Sequence, residues 1–363
     1  MSKAAELASL IGNINAGGGG VNRNLVMNGA MTVSQRGTSV ASITGAGYHL
    51  LDRHRLGGAV PGTWTMSQST TVPSGQGFAN SFKLDCTGTG SAGSMYFQHK
   101  FEGQNLQHLK KGTSSAETTT LSFWVKSNKT GTYIAQLLDN DNTRHISKAY
   151  TISAANTWEH KKITFPGDTT GTLDNDNAAS LEIYLWLSAD SSNSSGSLAT
   201  SWASVTAANN AVGQVNLADS TDNEWYLTGL QLEIGQNATE FEHEPFERTL
   251  YKCERYLSTF LGEANYEGVT PGGIASSSTR AWYVIPHRTT MRATPSLTYN
   301  KLRVDQSGVA GQDATSAALD TGSTKSSVIY VNVSSGLTTN NSYHLVSTSS
   351  GSSGGYLRLD AEL

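Results

Sequence analysis

Two acidic repeats contain the side chains best suited to bind a metal. The sequence LDNDN occurs at 138–142 and again at 173–177. Alternating Asp and Asn oxygens are ligands that Ca²⁺ prefers, and the candidate calcium ligands are Asp139, Asp141, Asp174 and Asp176. Neither copy has the Gly and Glu of a helix–loop–helix calcium site, and such clusters also form ordinary turns. We favour turns, and a melting temperature that responds to EDTA would indicate calcium instead.

The histidines and the known catalytic motifs give no sign of an enzyme. The nine histidines are His49, His54, His99, His108, His145, His160, His243, His287 and His344. They form no H-E-x-x-H and no zinc spacing, and G-x-S-x-G and phosphate-binding loop motifs are also missing. The sequence predicts a protein that is not an enzyme and needs no cofactor. A glycosidase stays an alternative, because its two carboxylates come from distant strands and leave no local motif.

Composition and charge exclude several other classes. Charged residues make up 15% of 363 residues, the net charge is −4, and no basic stripe is present, so nucleic acid is not an expected partner. Cys86 and Cys253 give neither a disulfide framework nor a metal spacing, and we expect two buried thiols. No signal peptide and no apolar run of about 20 residues is present. We expect synthesis and folding in the cytoplasm, without membrane insertion.

The segment from Trp225 to Tyr256 organises the rest of the chain. From Trp225 to Ile234 the residues alternate between two faces, which is typical of a β-strand. One face has Tyr226, Thr228, Leu230, Leu232 and Ile234, and the other has Trp225, Leu227, Gly229, Gln231 and Glu233. Pro245 then stands where a helix can begin. Phe246, Leu250, Cys253 and Leu257 recur at helical spacing. Beside them, Glu242, His243 and Glu244 are expected to form salt bridges with Arg248 or Arg255.

Strand-like segments separated by turn residues occupy residues 22–245, without helical periods between them. The predicted strands are 24–33, 48–56, 63–68, 81–85, 94–101, 119–126, 132–138, 158–165, 180–187 and 225–234. This spacing predicts a jelly-roll-like β-sandwich. The polar stretch from Asp190 to Ser220 is expected to lie across an edge of the sandwich.

A smaller set of strand-like segments follows in residues 246–363, after the joint helix. The predicted strands are 255–260, 280–287, 296–304, 327–333, 343–348 and 355–361. They predict a smaller distal β-sandwich. Its aromatic residues could stack on sugars, although the simpler interpretation of each one is a core residue.

The N-terminus predicts a short amphipathic helix and a flexible linker, which together form the segment 1–21. The apolar candidates for docking are Leu7, Ala8, Leu10, Ile11 and Ile14. A helix this short is marginal alone, so its apolar face is expected to bind a partner. Gly17 to Gly20 would separate this helix from the first β domain.

Several motifs in fixed order resemble tail-fibre and related virion proteins of tailed bacteriophages and prophages. They are NLVMNGAMTVSQRGTS, YHLLDRHRL, LSFWVKSNKTGTY, NTWEHKKITFPGDTTGTL, SWASVTAANNAVGQVNLADS, WYLTGLQLEIG, ATEFEHEPF and LYKCERYL, within residues 22–260. In this family a Trp usually follows the Asp-Arg pair where this chain has His54, which we interpret as a local packing change.

The resemblance implies a virion fibre or spike that is released by lysis. Such proteins commonly attach to the particle by the N-terminus and are often homotrimers, with Phe246, Leu250 and Leu257 as candidate interface residues. Their distal domains vary with the host, which makes Trp282, Tyr299 and Tyr283 candidates for contact with a host receptor, expected to be a glycan. Two alternatives stay open, namely a capsid fibre or decoration protein and a polysaccharide depolymerase tailspike.

Overall fold

The chain divides into two compact units, both built mainly from antiparallel β-strands. The computed structural model describes residues 3–4, 22–262, 266–306, 309–348 and 355–363. The N-terminal unit ends at Phe246 and the C-terminal unit begins at Glu247. The strands confirm the predicted mostly-β class. In the described part of the chain no helix is long and apolar enough to cross a membrane. The predicted docking helix, including Leu7, Ala8, Leu10, Ile11 and Ile14, lies outside the described residues.

The described residues of the N-terminal unit form twelve strands and several short helical turns. The strands are β1 Ser39–Ile43, β2 His54–Gly58, β3 Thr63–Ser69, β4 Ser81–Gly88, β5 Met95–Glu102, β6 Thr119–Ser127, β7 Gly131–Asp139, β8 Arg144–Ile152, β9 Glu159–Phe165, β10 Ala179–Ser188, β11 Ala203–Ser204 and β12 Glu224–Ile234. Helix α1 spans Ser191–Ser194, and 3-10 turns span Gly103–Asn105, Gln107–Leu109, Ala207–Asn209 and Leu217–Asp219.

These strands form two six-stranded sheets with the topology of a jelly roll. The first sheet has the order β1-β3-β4-β12-β6-β9, and the second has the order β11-β8-β7-β10-β5-β2. Along the chain from β4 to β12, successive long strands alternate between the sheets, except for the β7–β8 hairpin. The other connections between these long strands therefore cross from one sheet to the other, as the predicted jelly-roll-like sandwich requires.

The core lies between the two sheets and follows from the alternation within each strand. Strand β10 turns Leu181, Ile183, Leu185 and Leu187 inward, where all four are buried. Burying an aliphatic side chain of this kind contributes roughly 1.5–3 kcal/mol. The residues between them must face outward from the second sheet, because successive side chains of a strand alternate.

Two parts of the N-terminal unit differ from the sequence prediction. Residues 24–33 form turns instead of a strand, since Asn28 and Met31 have positive φ angles of 58° and 59°. The Asn28 side chain holds this turn by donating to the carbonyls of Val33 and Asp52, at 2.8 and 3.0 Å. In addition, β8 and the edge strands β1 and β11 were not predicted.

The joint has the predicted strand and helix, with a shorter helix. Helix α2 spans Phe246–Cys253. The chain then enters strand β13, so Leu257 belongs to a strand and its side chain is fully buried. Before the helix, Glu242 accepts the backbone N–H groups of Asn22 and Asn24 at 2.5 and 2.8 Å.

The C-terminal unit forms a barrel and a small sheet. Its strands are β13 Leu257–Leu261, β14 Gly268–Ser277, β15 Arg280–Pro286, β16 Ser296–Asn300, β17 Leu302–Gln306, β18 Val309–Gly322, β19 Ser326–Val333, β20 Ser342–Ser347 and β21 Tyr356–Asp360. The barrel has the order β14-β15-β19-β18-β17-β20, and the small sheet has the order β13-β21-β16.

A closed barrel takes the place of the two open sheets that the sequence suggested for this unit. Closure occurs because β14 pairs with β15 on one side and with β20 on the other. The predicted strand 296–304 is split at Lys301, where φ is 47°. Strands β14 and β18 were not predicted, since they are rich in Gly, Ala, Ser and Thr. Closing the sheet leaves no unpaired barrel edge.

Candidate functional site

A cleft on the outer face of the second sheet brings together aromatic and amide side chains. Strands β5, β7 and β10 are neighbours there. Along each of them, the residues that face the core alternate with the residues that face the cleft. The cavity has a volume of about 260 Å³. It is lined by Ser94, Tyr96, Gln136, Leu138, Tyr184, Trp186, Asn193, Val205 and Asn210.

Three aromatic rings form one side of the cleft. The rings of Tyr96 and Tyr184 are stacked, with centroids 4.1 Å apart and planes 9° apart. Trp186 lies 4.9 Å from Tyr96 and is almost completely buried. The neighbouring strand carries Gly57, where a Cβ atom would lie 2.2 Å from the Tyr96 ring. Glycine at this position therefore makes room for Tyr96.

A chain of amide side chains forms the opposite side. Trp186 Nε1 donates to Gln136 Oε1 at 2.9 Å, and Gln136 Nε2 donates to Asn210 Oδ1 at 2.9 Å. Asn210 Nδ2 donates to Asn193 Oδ1 at 3.1 Å, and Asp190 caps the helix that carries Asn193. The segment after Asp190 thus forms a wall of the cleft, and only β11 pairs along the sheet edge.

A polar row runs beside the aromatic rings. Arg55 Nη1 donates to Gln98 Oε1 at 2.7 Å, and the Gln98 amide donates to the buried carboxylate of Glu182. Asn140 Nδ2 donates to the other oxygen of Glu182 at 2.6 Å, while Lys100 Nζ lies 3.8 Å from that oxygen. Glu182 is therefore compensated by three neighbouring donors.

Burial raises the pKa values of the two cleft tyrosines above the ordinary value, at which the hydroxyl is already protonated at neutral pH. Burial raises the pKa of the Tyr184 hydroxyl, and the negative charge of Glu182 raises it further. Burial also raises the pKa of Tyr96. Both hydroxyls can therefore donate hydrogen bonds at neutral pH. None of the described residues that line the cavity is a carboxylate, so the lining itself holds no acid–base pair.

The sequence contained a signal for one strand of this cleft. In ASLEIYLWLS of β10, Glu182, Tyr184 and Trp186 alternate with core leucines and isoleucine. Aromatic residues on an outward strand face are a recognisable pattern. The contributions of Tyr96 and Gln136 depend on which strands pair with β10, which the sequence pattern does not report.

The predicted receptor residues of the C-terminal unit have different environments. Trp282 is half-buried on the outside of β15, and its Nε1 donates to Ser276 Oγ at 3.0 Å. Tyr299 is also half-buried and packs against the core of the unit. Tyr283 is 1% exposed in that core, where burial raises its pKa. Burial removes Tyr283 from the set of residues that could contact a receptor.

Trp282 belongs to an outward row across the barrel. The register aligns Ile274, Trp282, Tyr330 and Ala318 on adjacent strands. The Trp282 and Tyr330 rings lie 5.9 Å apart, and Ile274 is 56% exposed. The Arg280 guanidinium lies 4.4 Å from the Tyr330 ring centroid. The row therefore presents both apolar and charged groups to solvent.

The proposed trimer residues do not form one face. Phe246 is 51% exposed at the start of α2, and Leu250 is half-buried. Leu257 is buried in strand β13, so the prediction that it extends a helical interface was wrong. Both cysteines are buried, as the sequence indicated.

The two LDNDN repeats lie side by side and form turns. Asp141 Oδ2 accepts the Asp174 N–H at 2.8 Å, and Asp176 Oδ1 accepts the Ala178 N–H at 2.9 Å. Asp139 accepts hydrogen bonds from Asn142 and forms an ion pair with Lys111. Among the described residues, no group of three His, Cys, Asp or Glu side chains is arranged to hold a metal ion.

Comparisons with known proteins return similar structures only. No protein-family model matches the sequence, and no curated protein sequence matches it. The chain is similar to the enzymatically active domain of tailspike protein 4 of bacteriophage CBA120, at 16% identity and a TM-score of 0.32. This similarity covers 59% of this chain and 22% of that one, so the chain spans about a fifth of the tailspike structure.

Two sugar-binding structures are also similar. A putative sugar binding protein from Bacteroides thetaiotaomicron has 11% identity and a TM-score of 0.31, with 58% of this chain and 100% of that one covered. A family 11 carbohydrate-binding module from Clostridium thermocellum, in complex with a β-1,3-1,4-mixed-linked tetrasaccharide, has 14% identity and a TM-score of 0.28. That match covers 57% of this chain and 99% of the module. The topology of this chain itself defines its class, a jelly-roll β-sandwich followed by a β-barrel.

Proposed function

We propose that this protein is a non-enzymatic, glycan-binding fibre or spike component of a bacteriophage virion. The observation that carries the binding proposal is the cleft on the second sheet, where stacked tyrosines face a chain of amide groups. Sugars present apolar C–H faces and many hydroxyls, and therefore suit aromatic rings beside neutral donors and acceptors. The small cavity suits a short stretch of sugar better than a large cofactor.

The details of the cleft support binding of a neutral or weakly charged saccharide. Gln136 is held by Trp186 and Asn210, so its position is set before a ligand arrives. Such preorganisation lowers the entropic cost of binding. Glu182 is buried and already bonded to neighbouring donors, so it leaves no uncompensated charge beside the cleft.

The assignment to a virion rests on the ordered motifs within residues 22–260. In this proposal the N-terminus docks on the particle, the chain forms a homotrimer, and the distal unit meets the host surface. The outward row with Trp282, Tyr330 and Arg280 is the candidate contact in that unit. Aromatic and arginine side chains are frequent anchors in binding surfaces.

A binding experiment with full-length variants tests the role of the cleft. Tyr184→Ala should weaken binding to a purified host surface polysaccharide about 5- to 150-fold, corresponding to roughly 1–3 kcal/mol. Trp124→Ala is the matched control, because it removes an outward aromatic ring from the first sheet, where Trp124 stacks on His160. Folding of each variant is checked by circular dichroism. Unchanged binding by folded Tyr184→Ala would count against the cleft.

The same assay separates the two units, and other measurements test the alternative functions and the assembly. If Trp282→Ala alone removes binding, the distal row is the glycan site. Release of reducing ends from the polysaccharide would support the depolymerase alternative. Labelling the N-terminus in intact particles distinguishes a tail fibre from a capsid fibre. Light scattering that gives a monomer mass would contradict the homotrimer, and particles that keep a chain without residues 1–16 would contradict N-terminal docking.

A further inference from the structure

The side chain of Lys111 occupies a cage of oxygen atoms. This side chain is 6% exposed, and its ammonium group forms ion pairs with the carboxylates of Asp139 and Asp168, the latter at 3.1 Å. It also donates to the carbonyl oxygens of Thr170 and Gly171, each at 3.0 Å. Three separate segments of the N-terminal unit therefore meet at one nitrogen atom.

This set of acceptors is one that a hard metal cation would take. Two carboxylates and two main-chain carbonyls are typical oxygen ligands of Ca²⁺. A lysine ammonium is a compact positive charge that donates up to three hydrogen bonds and accepts none. Placed among these oxygens, it supplies the positive charge that the buried carboxylates require.

The cage keeps its shape through contacts that do not involve the ammonium. Asn142 Nδ2 donates to Asp139 Oδ2 at 3.0 Å. Arg144 binds both oxygens of Asp168, through Nε at 2.7 Å and Nη2 at 3.1 Å. Burial alone would raise the pKa of Asp168, but the hydrogen bonds from Arg144, from a backbone amide and from Lys111 lower it below its usual value. These contacts hold both carboxylates in place.

Two glycines bring the carbonyl-bearing backbone close to Lys111. Gly112 and Gly171 have φ angles of +83° and +74°, which other residues rarely adopt. A Cβ atom on Gly112 would lie 2.7 Å from the Gly171 carbonyl carbon, and one on Gly171 would lie 2.4 Å from the Asn142 side chain. The close approach of the loops depends on both glycines.

We propose that this cage is a cation site that the chain fills with its own Lys111 ammonium, and that removing the ammonium opens a binding site for Ca²⁺. Without Lys111, the two carboxylates and Arg144 leave a net charge of −1 around four oxygens, so a divalent ion is favoured. Water would complete its coordination. The internal ammonium makes the association of the three segments independent of dissolved calcium.

Trp202 provides a spectroscopic reporter for the site. Its ring centroid lies 5.4 Å from Lys111 Nζ. Tb³⁺ is a hard trivalent ion that takes the same oxygen ligands as Ca²⁺, and a nearby excited indole can sensitise its luminescence. We therefore expect full-length Lys111→Ala, excited through tryptophan, to give a saturable Tb³⁺ signal that millimolar Ca²⁺ displaces.

Matched variants show whether the signal comes from the cage. The wild-type protein and Lys110→Ala, which removes the neighbouring lysine that pairs with Glu117, should give no saturable signal. Adding Asp139→Asn to Lys111→Ala should reduce the signal at least tenfold. Equal signals from the wild type and Lys111→Ala, or no signal from folded Lys111→Ala, would overturn the proposal.

Thermal unfolding gives a second test, in which each protein is compared with itself in EDTA and in CaCl₂. The melting temperature of the wild type should be the same in EDTA and in about 10 mM CaCl₂. Lys111→Ala should melt at a lower temperature in EDTA and gain at least about 3 °C in CaCl₂. A Lys111→Ala chain that stays unfolded in CaCl₂, or a wild type destabilised by EDTA, would contradict the proposal.

Discussion

Two buried histidines should make the N-terminal unit unstable in acid. His54 and His99 lie in the core, with their Nδ1 atoms 3.4 Å apart. His54 Nε2 donates to the carbonyl oxygen of Asn28 at 3.0 Å, which leaves Nδ1 as an acceptor in the neutral ring. The neutral pair can share one N–H between the two Nδ1 atoms, whereas a protonated His54 would point a second N–H at His99.

The pKa values turn this arrangement into a dependence on pH. Burial lowers the pKa of His54 from 6.5 to about 4, with a further contribution from the positive charge of Arg53. Burial also lowers the pKa of His99, and His54 and Arg53 lower it further. The unfolded chain therefore binds more protons than the folded chain below pH 6.5. The stability from the neutral rings is present above that pH and is lost as the pH falls toward 4.

The size of the loss follows from the two pKa values of His54. At about 1.4 kcal/mol for each pH unit between them, charging His54 costs about 3 kcal/mol by pH 4. Urea unfolding followed by tryptophan fluorescence measures this loss mainly in the N-terminal unit, which contains six of the seven tryptophans. Between pH 7.5 and pH 4.5, the urea midpoint should fall by about 1 M through this pair alone.

Replacing both rings isolates their contribution from that of other acid-sensitive groups. His54→Gln with His99→Gln removes the titration and keeps amide groups for hydrogen bonding. This variant should be less stable at pH 7.5 but should lose roughly 2–3 kcal/mol less than the wild type on going to pH 4.5. His49→Gln, in a surface loop, is the control and should behave like the wild type. An equal loss in the double variant and the wild type would refute the reasoning.

Three further substitutions test packing and loop attachment. Gly29→Ala should destabilise the N-terminal unit by about 1–3 kcal/mol in urea unfolding, because the added Cβ atom would lie 2.1 Å from the Leu230 carbonyl oxygen. An unchanged free energy of unfolding would mean that the backbone there moves easily to make room. Glu242→Ala should cost about 1–2 kcal/mol in the same assay, since two main-chain N–H groups lose their acceptor, and Glu242→Gln should recover part of that loss. In calorimetry, Tyr283→Ala should destabilise the C-terminal unit by about 3 kcal/mol or more, whereas Trp282→Ala should change it by less than about 1 kcal/mol; similar values for the two would contradict the core position of Tyr283.

Regular alternation explains which strands could be predicted. Strand β12 alternates polar and apolar residues from Leu230 to Ile234, and its bounds of Glu224–Ile234 differ from the prediction by one residue. Residues 24–33 are equally apolar, yet they form turns because Asn28 bonds to Val33 and Asp52 through its side chain. Strand β18, Val309–Gly322, has few apolar residues and is stabilised by pairing with β17 and β19. Local pattern predicts strands whose faces differ in polarity and fails where pairing or side-chain bonding decides.

The candidate cleft shows the same limit for function. Tyr184 and Trp186 stand out within β10, but Tyr96 joins them only because β5 pairs with β10. The wall that carries Asn210 comes from a segment with no regular pattern. In the acidic repeats, the sequence around Asp139 indicated a possible metal ligand. In the folded chain, Asp139 forms an ion pair with Lys111 instead.

The sequence by itself determined the mostly-β class, the jelly-roll-like character of the first domain, and the strand and helix of the joint, because periodicity and turn residues act over a few neighbouring positions. Only the tertiary structure decided the closure of the barrel and the convergence of aromatic and amide groups in the cleft. It also decided that the Lys111 ammonium lies in a cage of oxygen atoms. These features depend on strand register and on contacts between residues far apart in the chain. Such contacts form when the whole core is buried, and no local pattern of residues specifies them.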